Sequence, residues 1–391
     1  MQSNLHLNIV LDKIASVTKN ANLPQEVTIT EKIVAREGSL LVVKILEDKK
    51  IYNQVELASG RLSILKKGDI VAVALGNRRA LKGFVGEVPK TLAVGDTINI
   101  LNLGGVAGLC TSENLKEVGH SLKAKVLGAI AAKTLGAVAT KTFGVVPMKS
   151  LGVVVTKTLD AVPAKTFGAI EMNACEHSLN IKQFTLFSPK MRLESTIPLI
   201  VVSGTCMNVG KTSVACEIIK HAHRKKYKVF AAKLAGVAAL RDTENMKDYG
   251  AKEAVTFVDA GFTSTVNNGD KAVEISKGAI DYLANGQPHC IVIEFGDGVY
   301  GEYGVMKILK DKEIQKNIIA HVGCAHDPMG AAKLVEVCAE IGAPIDLISG
   351  PVTDNSVGVK FVKDNLHVPA FNALFYGEQL FDHLLSTCLK K

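Results

Sequence analysis

The chain has 391 residues, of which 47% are hydrophobic and 21% charged, so it can form two or three globular domains. No uncharged apolar run reaches the roughly 18 residues of a membrane span, which excludes a helical membrane protein. Its net charge of +8 is concentrated in residues 123–172, and no arginine-rich patch with interleaved aromatic residues is present, which argues against nucleic-acid binding.

Residues 1–35 are assigned to an N-terminal segment. Its first residues, 1–14, include Asp12 and lack a small-residue cleavage site, so we expect no signal peptide. The eight cysteines of the chain are scattered and form no C-x-x-C pair. This usage predicts reduced thiols in a cytoplasmic protein rather than a disulfide framework.

Residues 36–122 are predicted to form a small β domain. Apolar runs such as SLLVVKIL and VGDTINIL alternate with turn signals, and the pairs Gly68-Asp69 and Gly95-Asp96 each precede a strand. Strands about 10–15 residues apart fit a small antiparallel barrel or sandwich. No catalytic constellation is visible, so we expect a binding or assembly module. Residues 77–79 (NRR) fit either a solvated turn or a small anion site.

Residues 123–172 contain six octads that begin at Lys125 and follow the pattern Lys-Thr-(Leu/Phe)-Gly-(Ala/Val)-(Val/Ile)-x-x. On a helix, eight residues advance about 800°, so the lysines would drift by about 80° per repeat. On strands, an even period keeps all lysines on one side. We therefore expect ordered β segments, with a partly disordered insert as the alternative. The apolar positions fall on both faces, which predicts stacking or a partner chain and hence a homo-oligomer.

Residues 173–391 are predicted to form an α/β domain, because continuous apolar strands alternate with helices in the way of a doubly wound parallel sheet. Strands are predicted near residues 198–203, 228–232, 254–258, 289–294, 318–323, 345–349 and 368–372. Helices are predicted near residues 211–225, 243–250, 271–284, 304–312, 329–341, 355–365 and 377–387.

The most informative stretch is residues 198–214, PLIVVSGTCMNVGKTSV. An apolar β-branched run leads into a short loop that ends in Gly210-Lys211-Thr212, and a helix-compatible segment follows. A phosphate-binding loop requires this context, although the strict pattern has glycine where Thr205 stands. Backbone N–H groups wrap a polyphosphate, Lys211 adds a charge, and the Thr212 hydroxyl can ligate Mg²⁺. A structural glycine turn is the alternative.

Polar side chains follow three further strands, at the edge where ligands of such sheets bind. Lys233 follows one strand, Glu294 ends the next with Asp297 close behind, and residues 323–328 (GCAHDP) follow a third. An acidic side chain beside a phosphate loop usually completes a Mg²⁺ site, so Glu294 is the first candidate and Asp297 competes with it. In the segment 350–355 (GPVTDN), Asp354 and Asn355 fit a nucleobase contact or a helix cap equally well.

Three motifs together carry a family resemblance: GTCMNVGKT (204–212), KVFAAKLAG (228–236) and VIEFGDG (292–298). They resemble the dethiobiotin synthetase / cobyrinic acid amide synthase group of P-loop proteins, which has GTDTxVGKT, Lys-Pro-Val-x-x-Gly and Val-Glu-Gly-Ala-Gly-Gly. The wide spacing between the two glycines of the loop is that group's own. The resemblance covers about residues 198–375 and says nothing about residues 1–196. More loosely, the domain resembles uncharacterised P-loop proteins, some of them implicated in N-acylation of acidic amino acids.

The resemblance implies roles for individual residues. Lys211 would hold the β- and γ-phosphates and Lys233 would face the transferred phosphoryl group and a substrate carboxylate, which makes both candidate catalytic residues. Mg²⁺ would be held by Thr212, Glu294 and an aspartate after Lys233, with Asp242 the first choice and Asp248 the second. The cofactor-binding residues would be Gly204, Thr205, Cys206, Met207, Asn208, Val209, Gly210, Lys211, Thr212, Ser213 and Asn355.

Three departures limit what is carried over. Cys206 stands where the group has aspartate, Leu234 stands where it has proline, and residues 296–298 read Gly-Asp-Gly where it has Ala-Gly-Gly, so substrate contacts are not transferred. We expect an ATP- and Mg²⁺-dependent ligase-type enzyme, in which phosphoryl transfer activates a small carboxylate or carbamate for attack by an amine or amide. The alternatives are a nucleotide-switched assembly or regulatory ATPase and an N-acyltransferase on the same fold.

Overall fold

The computed structural model of the protein describes residues 6–132, 134 and 178–387. The N-terminal part is built almost entirely of strands, most of which belong to one mixed ten-stranded sheet. Its elements are β1 (His6–Val10), β2 (Lys13–Ile14), β3 (Glu26–Thr30), β4 (Leu40–Ile45), β5 (Gln54–Glu56), β6 (Leu62–Ile64), β7 (Ile70–Leu75), β8 (Arg78–Arg79), β9 (Phe84–Glu87), β10 (Thr97–Ile100), β11 (Val106–Glu113), α1 (Leu115–Val118) and β12 (Leu122–Ile130).

Five of these strands pair in a closed ring, in the order β4, β7, β11, β10, β12 and back to β4. Four of the five pairings are antiparallel, and β7 with β11 is parallel. Closure leaves these strands without a free edge and surrounds an apolar core, in which residues 40–43 (LLVV) and 71–75 (VAVAL) are all buried. We call residues 6–132 the barrel.

The barrel includes chain that the sequence analysis placed elsewhere. Strand β3, within residues 1–35, pairs with β12, and β1 pairs with β3. The first octad supplies most of β12, where Lys125 faces solvent between the buried Ala124 and Val126. The five remaining octads, residues 133–172, lie outside the described residues apart from position 134. Arg78 is 5% exposed and donates to the Tyr52 hydroxyl, so the predicted solvated turn at residues 77–79 is wrong.

The C-terminal part is an α/β domain whose six strands are all parallel, in the order β15, β14, β16, β13, β17, β18. It confirms the predicted parallel sheet beside a mainly antiparallel one. Its elements are β13 (Leu199–Gly204), α2 (Lys211–Arg224), β14 (Val229–Ala235), α3 (Arg241–Asp248), β15 (Ala254–Thr256), α4 (Gly269–Ala284), β16 (Cys290–Phe295), α5 (Val305–Lys310), α6 (Lys312–Gln315), β17 (Ile318–Cys324), α7 (Pro328–Glu340), β18 (Leu347–Ser349), α8 (Ser356–Leu366) and α9 (Ala373–Thr387).

One predicted strand, 368–372, is absent from the sheet. Only Ala370 makes a bridge there, with Ile348 of β18. Pro369 has no N–H to give to a ladder, and the Asn372 side chain instead accepts from the N–H groups of Leu374 and Phe375 at the start of α9. The segment therefore ends in a helix cap.

His321 lies in the middle of β17 and is buried between two polar groups. Its Nδ1 is 2.9 Å from the carbonyl oxygen of Ala343, which can only accept, so Nδ1 carries the proton. Nε2 then accepts from the Ser203 hydroxyl at 2.7 Å. Burial lowers the pKa of this imidazole from 6.5 to about 4, because the charged form would be desolvated inside the sheet.

This shift predicts a loss of stability in mild acid. Between pH 6.5 and about pH 4 the unfolded chain binds a proton on His321 that the folded chain does not. Stability therefore falls as the pH falls through this window, by at most about 1.4 kcal/mol per unit from this group. Urea unfolding at pH 7, 5.5 and 4.5 should show a shallower decline in His321→Gln than in the parent protein. Equal slopes would contradict the assignment.

Candidate functional site

The chain between β13 and α2 forms a loop, residues 205–210, at the carboxyl edge of the parallel sheet. Gly210 has φ +83° and Asn208 has φ +62°, left-handed conformations that turn the backbone sharply before the helix. The N–H of Thr205 donates to the Cys324 carbonyl of β17 at 3.0 Å. Among the described residues no acceptor lies opposite the N–H groups of residues 206–210. Such a row of free donors leading into a helix N-terminus can wrap an anion.

Lys211, the first residue of α2, is 4% exposed, and its ammonium lies over the loop. Its Nζ donates to the Cys206 carbonyl oxygen at 2.6 Å, so the side chain turns back across residues 206–210. A buried ammonium beside unpaired backbone donors concentrates positive charge at one point. This geometry suits a polyphosphate.

Thr212 and Glu294 meet beneath the loop. Strands β13 and β16 are neighbours, and Val202 pairs with Glu294, which places this carboxylate directly under the start of α2. The Thr212 hydroxyl donates to Oε1 of Glu294 at 2.6 Å. The second carboxylate oxygen, Oε2, is buried and has no hydrogen-bond partner among the described residues. A buried carboxylate oxygen without a partner is costly, which fits a place where a cation binds.

Lys233 lies beside Glu294 on the neighbouring strand, where the two residues pair in register. Its ammonium makes an ion pair with Asp242 of α3. Burial lowers the pKa of this ammonium, and the nearby carboxylate of Glu294 opposes the shift. Asp242, predicted as a metal ligand, contacts Lys233 in this structure, so its role as a ligand stays a prediction.

A third acidic side chain, Asp297, lies in the glycine-rich turn after β16. It is buried, which raises the pKa of its carboxyl, while the charge of Lys211 acts in the opposite direction. The turn packs tightly on the phosphate loop, because a Cβ at Gly298 would overlap the carbonyl oxygen of Thr205. Only glycine permits this approach, so the loop and the turn form one wall of the site.

Two of the other predicted residues, Asn355 and Asp327, serve as helix caps. The Asn355 side chain accepts from the N–H groups of Val357 and Gly358 at the start of α8, at 3.0 and 3.3 Å. Asp354 accepts from the Asn372 amide at 2.8 Å. Asp327 caps α7 through the N–H of Gly330. These contacts occupy the side chains that were candidates for a nucleobase contact, and Asn355 as a cofactor residue stays a prediction.

The site also has residues that sequence reasoning missed. The barrel contacts the loop after β14 through Glu56, and the Asn102 amide donates to the Ala238 carbonyl in the same loop. The only signal for Glu56 in the sequence is an acidic residue between the apolar Val55 and Leu57, and this pattern does not name a partner.

Within the described residues, no helix is both long and apolar enough to cross a bilayer. The six cysteines among these residues are free thiols. Residues 6–132, 134 and 178–387 contain no group of three or more His, Cys, Asp or Glu side chains that could hold a metal ion. A cation at Thr212 and Glu294 would therefore take most of its ligands from a bound molecule and water, as Mg²⁺ does at nucleotide sites.

Comparisons with known proteins give only distant similarities. No family profile and no curated protein matches the sequence. A DUF1611 family protein from Anabaena variabilis is 14% identical with a TM-score of 0.36, over 53% of this chain and 63% of that one. The signal recognition particle 54 kDa protein from Aeropyrum pernix, solved with GDP, is 17% identical with a TM-score of 0.32, over 53% and 52%.

The hydrogenase maturation factor HypB from Archaeoglobus fulgidus is 16% identical with a TM-score of 0.34, over 49% of this chain and 91% of that one. The chain thus spans less than two thirds of the DUF1611 protein and about half of the 54 kDa protein. None of these three is described as a dethiobiotin synthetase, and the resemblance to that group stays a prediction. At these identities and scores the likenesses carry no assignment of activity.

Proposed function

We propose that the protein binds a nucleoside triphosphate together with Mg²⁺ at the loop of residues 205–210. The observation that carries the proposal is the Thr212–Glu294 pair, in which one carboxylate oxygen is buried and unpartnered directly under a row of free backbone donors. A protein that only needed a tight turn here would gain nothing from a buried charge. The arrangement of backbone donors and charged side chains around the loop matches the chemistry of a Mg²⁺–triphosphate.

Different groups of the site would bind the phosphates and the metal ion. The N–H groups of residues 206–210 donate to phosphate oxygens, and Lys211 moves from the Cys206 carbonyl to the β- and γ-phosphates. The Thr212 hydroxyl and the Glu294 carboxylate would hold Mg²⁺, which would supply positive charge that offsets the negative charge building up during transfer. ATP is the nucleotide that the family resemblance implies.

We infer further that the reaction is of the ligase type. The γ-phosphoryl group would pass from ATP to a carboxylate or carbamate oxygen, forming an acyl phosphate and ADP, and an amine or amide nitrogen would then displace phosphate. The support is Lys233, a buried cation that stands in register with Glu294 at the strand ends. A fixed cation between the γ-phosphate and a substrate carboxylate stabilises the charge of the transition state.

A nucleotide-switched regulatory ATPase is a second candidate, favoured by one observation. The barrel contacts the segment between β14 and α3 through Glu56 and Asn102, so a displacement of the strand ends would be transmitted to the barrel through these contacts. An enzyme in the strict sense needs a small-molecule substrate, whereas a switch needs only hydrolysis or exchange. Steady ADP release that no carboxylate or amine stimulates would favour the switch.

A Glu294→Gln variant tests the binding proposal. Glutamine keeps an oxygen that accepts from Thr212 but removes the charge, so binding of the nucleotide without metal should change little. The Mg²⁺-dependent gain in affinity should fall by roughly tenfold or more. Calorimetric titrations of ATP and GTP, each with Mg²⁺ and with EDTA, measure both quantities.

Glu302→Gln is the matched control, because this carboxylate lies in the loop that follows β16 and its side chain is 59% exposed. It should bind Mg²⁺ and nucleotide as the parent protein does. An undiminished Mg²⁺ effect in Glu294→Gln, or no binding of either nucleotide by the parent protein, would overturn the proposal.

A further inference from the structure

Glu56, at the end of β5 in the barrel, is 1% exposed, and its carboxylate reaches the α/β domain. Oε2 accepts from the N–H of Leu240 at 2.6 Å and Oε1 from the N–H of Arg241 at 2.5 Å. The Ser16 hydroxyl, also from the barrel, donates to Oε2 at 2.5 Å. A buried carboxylate is thus satisfied by three donors, two of them backbone groups of the other domain.

These two backbone groups stand at the N-terminus of α3. The residue at its cap position, Leu240, has no side chain that can accept, and the structure shows no side-chain cap from within the helix. Glu56 supplies the missing acceptor oxygens, and it also places a negative charge at the positive end of the helix. The cap of α3 therefore comes from the barrel, more than 180 residues away in the chain.

The helix that Glu56 caps carries the partner of Lys233. Asp242 is the second residue of α3 and makes the ion pair with the Lys233 ammonium. The barrel also fixes the chain just before the helix, because the Asn102 amide donates to the Ala238 carbonyl and a Cβ at Gly104 would overlap the same oxygen. The start of α3 is held from the barrel side at two points.

We propose that Glu56 is a positioning residue of the phosphoryl-transfer site: it holds the start of α3 so that Asp242 keeps the Lys233 ammonium aimed along the strand ends. In this role Glu56 acts through its contacts with the backbone of Leu240 and Arg241. The barrel then contributes to the chemistry of the α/β domain, because the start of α3 is held in place only when the two parts are docked. The role of Lys233 in this inference rests on the proposed function.

The test is a double-mutant cycle of Glu56→Gln and Asp242→Asn. Glutamine places an NH₂ group against one of the two backbone donors, so the cap is broken while the shape is kept. We expect Glu56→Gln to lower ATP turnover about tenfold and to leave the affinity for Mg²⁺–ATP within about twofold. In the Asp242→Asn background the same change should have a much smaller effect, because Glu56 acts mainly through Asp242 and adds only a direct charge effect on Lys233.

A second readout needs no reaction. Hydrogen exchange measured by mass spectrometry on the nucleotide-free protein should speed up in residues 240–248 of Glu56→Gln, while residues 205–213 exchange as before. Glu26→Gln, an exposed glutamate of β3, is the matched control and should change neither quantity. If Glu56→Gln does not fold, Ser16→Ala removes one of the three donors and is measured in the same way.

The outcomes separate the two proposals. The positioning role would be overturned if the turnover losses of Glu56→Gln and Asp242→Asn were additive in the double variant. It would also be overturned, whatever the reaction, if the hydrogen-exchange rate of residues 240–248 were unchanged. A parent protein without ATP turnover would overturn the proposed reaction, and hydrogen exchange in residues 240–248 of the same variants would still decide whether Glu56 holds the start of α3.

Discussion

A Lys211→Ala variant is expected to lose binding of Mg²⁺–ATP by about 100-fold or more. Its ammonium is 4% exposed and lies across the loop, so alanine removes a full charge from a nearly dry site. Charge-assisted hydrogen bonds contribute about 1.5–3 kcal/mol each, and Lys211 would make more than one to the phosphates. Isothermal titration calorimetry at a fixed salt concentration measures the change.

Lys220→Ala on the same helix is the matched control. Lys220 lies about two and a half turns further along α2 than Lys211 and contacts Glu217 at 2.7 Å, so its loss leaves the phosphate loop untouched. This variant should bind nucleotide like the parent protein. An affinity in Lys211→Ala equal to that of the control would mean that residues 205–210 are a structural turn and not a phosphate site.

Much of this site could be predicted because parallel sheets bring distant strand ends to one edge. Lys211, Lys233 and Glu294 are spread over 84 positions of the sequence, yet each ends or follows a continuous apolar run. Once those runs are taken as parallel strands, their carboxyl ends must meet. The structure places Lys233 and Glu294 on the adjacent strands β14 and β16, and Lys211 at the start of α2, which follows β13, the other neighbour of β16.

The contribution of the barrel could not be predicted in this way. Glu56 reaches α3 through a contact between two domains, and no periodicity connects residue 56 with residues 240 and 241. The position of Asp242 after Lys233 predicts a metal ligand. Whether its carboxylate contacts a metal ion or the Lys233 ammonium depends on the direction of α3. The N-terminus of that helix donates two backbone N–H groups to Glu56, which lies outside the local sequence.

The helix caps show a related limit. Asn355 and Asp327 stand at the carboxyl edge of the sheet, where ligands bind, and also at the residue before a helix, where such side chains satisfy free N–H groups. Sequence position alone does not separate these two uses. In the structure both side chains accept from their own helices, at 2.9–3.3 Å.

A Lys233→Met variant is expected to lose about 10²–10³-fold in turnover while it still binds Mg²⁺–ATP, because it removes a preorganised cation from the transition state and spares the loop. Methionine fills the buried volume, but Asp242 is left without its partner, so stability should fall too. Adding Asp242→Asn removes the unpaired charge and should restore the melting temperature without restoring turnover.

A double variant that regains its melting temperature but not its turnover would identify Lys233 as a residue of the reaction and not only of the fold. Turnover is measured as ADP release, with the substrate found by a screen for carboxylates and amines that stimulate the parent protein. Lys228→Ala, just before the same strand and at its opposite end from Lys233, is the control. Its ammonium donates to the Gly286 carbonyl oxygen at 2.6 Å and lies over the Phe230 ring, so its loss should leave turnover unchanged. Full turnover in Lys233→Met, or recovery of turnover together with stability in the double variant, would show that the lysine only supports the fold and that the ligase assignment fails.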